Sequence, residues 1–136
     1  MERVKTTCII DDDPIYIYGT KRIIEELDFC DKLIEYHNGQ DAIDGMAQMV
    51  KEGKDIPSMI FLDLNMPVMN GWDFLEEFIN IPYNNKEDVT IYIISSSIDP
   101  RDLVKVKDYN IVHNYVLKPV SPDELRTMIE QAVIKV

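Results

Sequence analysis

Asp63 follows four apolar residues, Met59 to Leu62, without a break. Three more apolar runs also end in polar groups: Thr6–Ile10 in Asp11 and Asp12, Val89–Ile94 in Ser95, and Val112–Leu117 in Lys118. If those ends meet, the chemistry is specific. Carboxylates brought close together repel one another, and some stay protonated unless a counter-charge joins them. A hard divalent cation supplies that charge, and Mg²⁺ suits a few carboxylates with several retained waters. Lys118 is a point charge suited to phosphate. The Ser95 hydroxyl can donate to a phosphoryl oxygen. Carboxylate, metal, lysine and hydroxyl together serve phosphoryl transfer to an aspartate, with Asp63 the nucleophile that becomes an acyl phosphate.

The elements decide whether those ends meet. Thr6–Ile10 reads as a strand, and Asp13-Pro14 as a helix cap followed by a first-turn proline. Tyr16, Thr20, Ile23 and Leu27 then share one helical face. Lys32–His37 is a less apolar strand, suited to an edge, that Asn38-Gly39 breaks. Ala42, Ile43, Met46, Ala47 and Val50 follow helical spacing, with Gly53 as the stop. The run Met59–Leu62 suits a strand buried on both faces, and Asn70-Gly71 is a turn signal after it. Trp72, Leu75, Phe78 and Ile79 mark a third helix, and Pro82 to Asn85 a loop.

Val89–Ile94 is a fourth strand, ending in Ser95-Ser96-Ser97. Asp99-Pro100 repeats the cap-then-proline signal, and Leu103, Val104, Val106 and Tyr109 give a shorter fourth helix. Val112–Leu117 is a fifth strand, read as a buried run. Ser121-Pro122-Asp123-Glu124 is a strong helix start. Leu125, Met128, Ile129, Ala132, Val133 and Val136 line the last helix. Strand then helix, five times over, predicts an α/β protein with a five-stranded parallel sheet covered on both faces. The doubly wound, flavodoxin-like order 2-1-3-4-5 places a site at the switch between the first and third strands. Those strands end at Asp11-Asp12 and Asp63.

Composition narrows the classes. A chain of 136 residues is one domain's worth. Its net charge of −11 argues against a nucleic-acid partner, which calls for a basic face. Cys8 and Cys30 form neither a metal-ligand spacing nor a disulfide framework, and Cys8 reads as a small buried hydrophobe. No stretch is long enough to span a bilayer, and Met1–Thr7 is too polar for a signal peptide. The expected compartment is reducing and cytoplasmic. His37 and His113 read as ordinary strand residues, Trp72 as packing, and Met66 and Met69 as loop residues that make no binding groove.

Four pieces carry a family resemblance: Ile-Ile-Asp-Asp-Asp-Pro, Phe-Leu-Asp-Leu-Asn-Met-Pro-Val-Met-Asn-Gly, Ile-Ile-Ser-Ser-Ser and Tyr-Val-Leu-Lys-Pro. In this order, each at a strand end, they resemble the receiver domain of two-component response regulators, over about Thr6 to Ile134. The resemblance implies that Asp63 is the phosphoacceptor. It implies that Asp12 binds Mg²⁺ directly, that Asp11 helps through water, that Asp63 is itself among the metal's ligands, and that Asn65 gives its backbone carbonyl to the metal. Ser95 stands where the family has threonine or serine, and Lys118 is the family's lysine. Tyr115 matches the aromatic whose side chain turns inward when the hydroxyl moves to the phosphoryl group. The Lys118–Pro119 bond resembles one that is cis in the family.

Some register choices stay open. The acid run Asp11-Asp12-Asp13 leaves the site pair ambiguous, and Asp11 with Asp12 is preferred because Asp13 makes the better helix cap. Ser95 is preferred to Ser96 because it directly follows the apolar run. The segment Asn80–Asp88 looks longer than is usual for the family.

The first reading is a stand-alone receiver spanning 1–136, with no output domain, and the alternative is a domain cut from a longer protein. A sensor histidine kinase or a histidine phosphotransfer protein would donate the phosphoryl group. The protein would catalyse its own phosphorylation and dephosphorylation rather than act as an enzyme on others. A downstream protein target would dock on the face formed by 99–136, and the chain would be a monomer or weak dimer, without nucleic acid or membrane partners. The rivals are a small aspartate-nucleophile phosphatase and a scaffold that kept the fold without the chemistry. Such a phosphatase usually has a second acid two residues after the nucleophile, where this chain has Asn65, and the intact set of Asp12, Asp63, Ser95 and Lys118 argues against a scaffold.

Overall fold

A computed structural model describes residues 4–82, 88–96 and 99–134, with side chains described as far as residue 131. Ser97, residues 83–87 of the segment Asn80–Asp88, and the inward side chains expected at Ala132, Val133 and Val136 lie outside the described residues. Strands and helices alternate: β1 (Val4–Ile10), α1 (Pro14–Leu27), β2 (Cys30–Tyr36), α2 (Gly39–Lys51), β3 (Met59–Asp63), α3 (Gly71–Phe78), β4 (Thr90–Ser95), α4 (Pro100–Lys105), β5 (Val112–Leu117) and α5 (Pro122–Ile134). The strands form one parallel sheet in the order β2-β1-β3-β4-β5, as the repeat pattern predicts. No helix among the described residues is long and apolar enough to cross a membrane.

The sheet's alternation builds two cores. Cys8, Ile10, Ile60, Leu62, Ile91 and Ile93 point to one side, where they meet Ala42, Met46, Phe74 and Phe78 of α2 and α3. Ile9, Phe61, Tyr92 and Ile94 point to the other, against Ile17 and Ile24 of α1 and Leu125, Met128 and Ile129 of α5. Register holds the strand ends level, with Ile10 opposite Leu62 and Asp63 opposite Ile94. A polar tie joins sheet to helix on the second side, where the buried Tyr92 hydroxyl donates to the Met128 carbonyl at 2.9 Å.

Several inward faces differ from those expected. The buried stripe of α1 is Ile17, Thr20 and Ile24, with Tyr16, Ile23 and Leu27 half-buried at its margin. A helix seated squarely on a sheet buries the middle of its apolar arc, and spacing alone does not say which residues are the middle. Ile79 caps α3 and is exposed, while Phe74 takes the core position. Met66 and Met69 lie in the loop between β3 and α3, as expected, and are buried in the core. β5 is an edge strand with no fully buried residue, so its apolar run is covered on only part of its surface.

The fourth helix departs most. α4 has no buried residue, and Leu103 and Val104 are 39% and 67% exposed. A single 3₁₀ turn, Val106–Asp108, follows it. Polar and ring contacts hold this region to α3. The Trp72 indole N–H donates to Asp102 at 3.2 Å, and the Tyr109 hydroxyl donates to Glu76. Trp72 and Tyr109 rings lie 5.7 Å apart, and the Lys105 ammonium sits 4.8 Å from the Trp72 centroid. Trp72 is therefore more than packing.

Both Asn-Gly pairs that read as breaks are helix starts. Asn38 caps α2 by accepting the Asp41 N–H at 2.8 Å, and Asn70 caps α3 by accepting the Asp73 N–H at 2.9 Å. Each glycine is the first helical residue, chosen for close approach. A methyl on Gly71 would stand 2.7 Å from the Asp63 carbonyl oxygen and 2.8 Å from the Leu64 Cα. Both are backbone atoms that cannot rotate away. Gly71→Ala should therefore destabilise the fold by about 1–3 kcal/mol, the usual range for overpacking. Urea unfolding measures this, and a midpoint equal to that of the natural chain would contradict the close approach.

Candidate functional site

Four strand ends converge at the carboxyl edge of the sheet. Asp11 continues β1, and its N–H still pairs with the Tyr36 carbonyl at 3.1 Å. Asp63 closes β3 and Ser95 closes β4, and both are buried, as is Asp11. Lys118 follows β5, where its N–H donates to the Ser95 carbonyl at 2.8 Å. The Lys118–Pro119 peptide is cis.

Asp11, Asp12 and Asp63 each offer an oxygen, and these oxygens all lie within 4.8 Å of one another. Asp12 is the exposed member of the three. Lys118 reaches in from the side: its Nζ is 2.8 Å from an Asp11 oxygen and 3.7 Å from Asp63 Oδ1. The other Asp11 oxygen accepts the Asp13 N–H at 2.9 Å. The register of the acid run follows from the cap. Asp13 turns away to accept the Ile15 and Tyr16 N–H groups at 3.0 and 3.4 Å, which leaves Asp11 and Asp12 for the site.

Asn65 lies two residues past Asp63 on the exposed loop, and its N–H donates to Asp63 Oδ1 at 3.4 Å. In the serine run, Ser95 is buried and Ser96 exposed. The Ser95 hydroxyl shares a hydrogen bond with the half-buried phenol of Tyr115. Every residue assigned to the site from the sequence is thus at this edge, with Tyr115 one hydrogen bond behind it.

The electrostatics are unbalanced. One lysine faces three carboxylates, a set that can hold a hard cation through oxygen ligands. The Asp63 carboxyl is pushed up from 3.8 to about 6. Burial is the main cause and the Asp11 charge the next, and together they outweigh Lys118 and the Asn65 N–H.

The sequence reading missed one neighbour of the site. The Tyr16 ring centroid is 4.3 Å from the Lys118 ammonium. From spacing alone, Tyr16 is only one of the residues on a helical face. Its place four residues after Asp12, on the first turn of the helix that leaves β1, is the signal that marks it.

Asp63 makes the metal-free fold pH-dependent. A carboxyl whose folded pKa lies above its unfolded one holds its proton more tightly when folded. Its favourable contribution is complete below pH 3.8 and is lost as pH rises through about 6. The ionised side chain then costs on the order of 3 kcal/mol. In chelator, Asp63→Asn should be more stable than the natural chain near pH 7.5, and the gap should shrink as pH falls toward 4. Urea unfolding across that range tests this, and a gap independent of pH would refute the assigned cause.

Comparison with known proteins agrees with this fold. The family described as response regulator receiver domain matches residues 7–130. The nitrate/nitrite response regulator protein NarL of Escherichia coli K12 is 30% identical over 127 residues, covering 93% of this chain and 54% of NarL. The chain thus spans about half the length of that relative. The crystal structure of a two-component response regulator from Cytophaga hutchinsonii superposes with a TM-score of 0.85 at 28% identity, covering 98% of this chain and 99% of that one. The receiver domain of the sensor histidine kinase PA1611 from Pseudomonas aeruginosa PAO1, crystallised with magnesium coordinated in its active site cleft, shares the fold. Its TM-score is 0.76 at 15% identity, covering 96% of this chain and 98% of that one. With the sheet order, the acidic edge and a family match over most of its length, this chain belongs to the response regulator receiver domain family.

Proposed function

We propose that the protein accepts a phosphoryl group on Asp63, with Mg²⁺ bound at the acidic edge, and signals through a change that begins at Ser95. The observation that carries the reading is the convergence of Asp11, Asp12 and Asp63 oxygens within 4.8 Å, with the Lys118 ammonium 3.7 Å from Asp63. Asp12 is the exposed ligand, Asp11 assists from inside, Asp63 gives a carboxylate oxygen, and the Asn65 carbonyl completes the protein's share. When bound, the cation neutralises charge on the carboxylates and on the transferring group. The magnesium in the PA1611 receiver supports this choice of metal.

The donor is a phosphohistidine on a sensor histidine kinase or a histidine phosphotransfer protein, in keeping with a receiver neighbour that belongs to a sensor histidine kinase. An Asp63 carboxylate oxygen attacks phosphorus, the phosphorus–nitrogen bond breaks, and the departing imidazole takes a proton from solvent. Lys118 stabilises charge on the phosphoryl oxygens as they arrive. The catalysis is the protein's own, on its own side chain. Asn65 cannot serve as the proton-transfer acid that a phosphatase would place there.

The new group adds about −1.5 to −2 charges at neutral pH. Its oxygens compete for the Ser95 hydroxyl, which otherwise pairs with Tyr115. A charge-assisted hydrogen bond is worth roughly 1.5–3 kcal/mol, enough to shift a two-state population tenfold or more. Tyr115 then loses its partner and turns into the space that Ser95 leaves. The face over 99–136 changes with it, and a target protein reads that change. α4, which buries nothing, is the part of that face least tied to the core.

Two experiments test the reading. With Mg²⁺ and a small acyl phosphate, intact mass should show one acid-stable, base-labile phosphoryl group. Asp63→Asn and excess chelator should each abolish it, whereas many turnovers per protein would point to a phosphatase. Ser95→Ala should still take up the group. Its amide shifts over 99–136 on adding beryllofluoride should be much smaller than those of the natural chain. Equal shifts would remove Ser95 from the switch.

A further inference from the structure

Among the described residues, the Lys118 ammonium lies close to Asp11 at 2.8 Å, Asp63 at 3.7 Å and the ring of Tyr16 at 4.3 Å. Its side chain is only 16% exposed, so these neighbours decide where the charge sits. A divalent cation on the acidic edge would draw on Asp11 and Asp63 themselves. It would weaken both ionic holds on the lysine and repel the ammonium directly. The face of the Tyr16 ring offers such a cation no ligand oxygen. An aromatic face carries negative potential and attracts an ammonium, more strongly where water is excluded.

The ring is built to stay put. Tyr16 sits in the first turn of α1, where its N–H and that of Ile15 are accepted by Asp13. The acid run therefore has two duties: Asp11 and Asp12 serve the site, and Asp13 pins the turn that carries the ring. Burial, its main perturbation, pushes the Tyr16 phenol up to about 12, so the ring stays neutral across the physiological range.

We propose that Tyr16 is a positioning residue for phosphoryl transfer, its ring face holding the Lys118 ammonium beside Asp63 while a divalent cation occupies the carboxylates. The proposal rests on the phosphoacceptor reading above. The ring, not the hydroxyl, does the holding, so Phe should replace Tyr and an aliphatic residue should not.

The test compares Tyr16→Phe, Tyr16→Leu and Tyr16→Met with the natural chain, each carrying carbon-13 lysine. The first readout is the shift of the Lys118 ε-methylene protons, without metal and then with saturating Mg²⁺. A ring current should move them upfield in the natural chain and in Tyr16→Phe under both conditions, and in neither aliphatic variant. The second is the rate of uptake from a small acyl phosphate. Tyr16→Phe should stay within about twofold, and the aliphatic variants should fall about tenfold. Their Mg²⁺ affinity, read from the Asp12 amide, should change less than twofold. The proposal is overturned if Tyr16→Leu and Tyr16→Met take up the group at the natural rate, if Tyr16→Phe behaves as they do, or if the upfield shift vanishes when Mg²⁺ binds the natural chain. Failure of the natural chain to take up any phosphoryl group would sink the phosphoacceptor reading instead. The metal-dependent shift would then decide the positioning claim alone.

Discussion

Three carboxylates at one sheet edge, matched among the described residues by a single lysine, are the constraint that the rest of the molecule serves. Such a cluster is unfavourable by itself. Lys118 lies 2.8 Å from Asp11 and 3.7 Å from Asp63, so it balances the inner acid better than the central one. Asp63 is left short of counter-charge in a buried place, and its proton affinity rises. A site that asks for positive charge and holds a nucleophilic carboxylate is suited to a cation and a phosphoryl group together. Stability is given up at the place where function resides, and the two apolar cores on either side of the sheet offset it.

The offset is unevenly spread. α1, α2, α3 and α5 each bury apolar residues against the sheet, and Phe61 and Tyr92 stack at 5.7 Å beneath α1 and α5. α4 has no fully buried residue, and α4 and the turn after it are tied through side chains of α3: Trp72 to Asp102, Glu76 to Tyr109 just past the turn, and the Trp72 ring beneath Lys105. Contacts of this kind at the surface are individually weak and exchange readily with water. A packed core resists small displacements, whereas such ties can break and reform at little cost. The switch proposed from Asp63 through Ser95 and Tyr115 would thus lead toward the element whose movement disrupts least.

The β3–α3 loop shows how closely the site and the fold are joined. Val68 has a φ of 70° and is 84% exposed. Left-handed backbone is unfavourable for a β-branched residue. The turn around it, with the Met69 N–H donating to the Pro67 carbonyl at 2.7 Å, brings Met66 and Met69 down into the core. Gly71 then seats α3 directly on the Asp63 backbone. The loop that presents Asn65 at the mouth is thus held at its far end by apolar packing.

Much of this was legible in the residues because it depends on local signals. Apolar runs of strand length, proline after an aspartate or serine cap, and helical spacing each act over a few residues, and together they define the repeat and hence the parallel sheet. The site residues were legible for the same reason. Ligands of an open parallel sheet gather at the carboxyl ends of its strands, so a polar residue after an apolar run marks its own position. Asp13 as the cap and Ser95 as the buried serine followed from that logic. Tertiary structure decided what depends on partners distant in the chain. It chose Ile17, Thr20 and Ile24 over their neighbours as the buried stripe of α1, because the sheet selects the middle of an apolar arc. It exposed Leu103 and Val104, whose spacing suits a core that never covers them. It also brought Tyr16 to Lys118 across 102 positions of sequence, a contact without local signature, since a ring and an ammonium that far apart meet only once β1 and β5 lie in the same sheet.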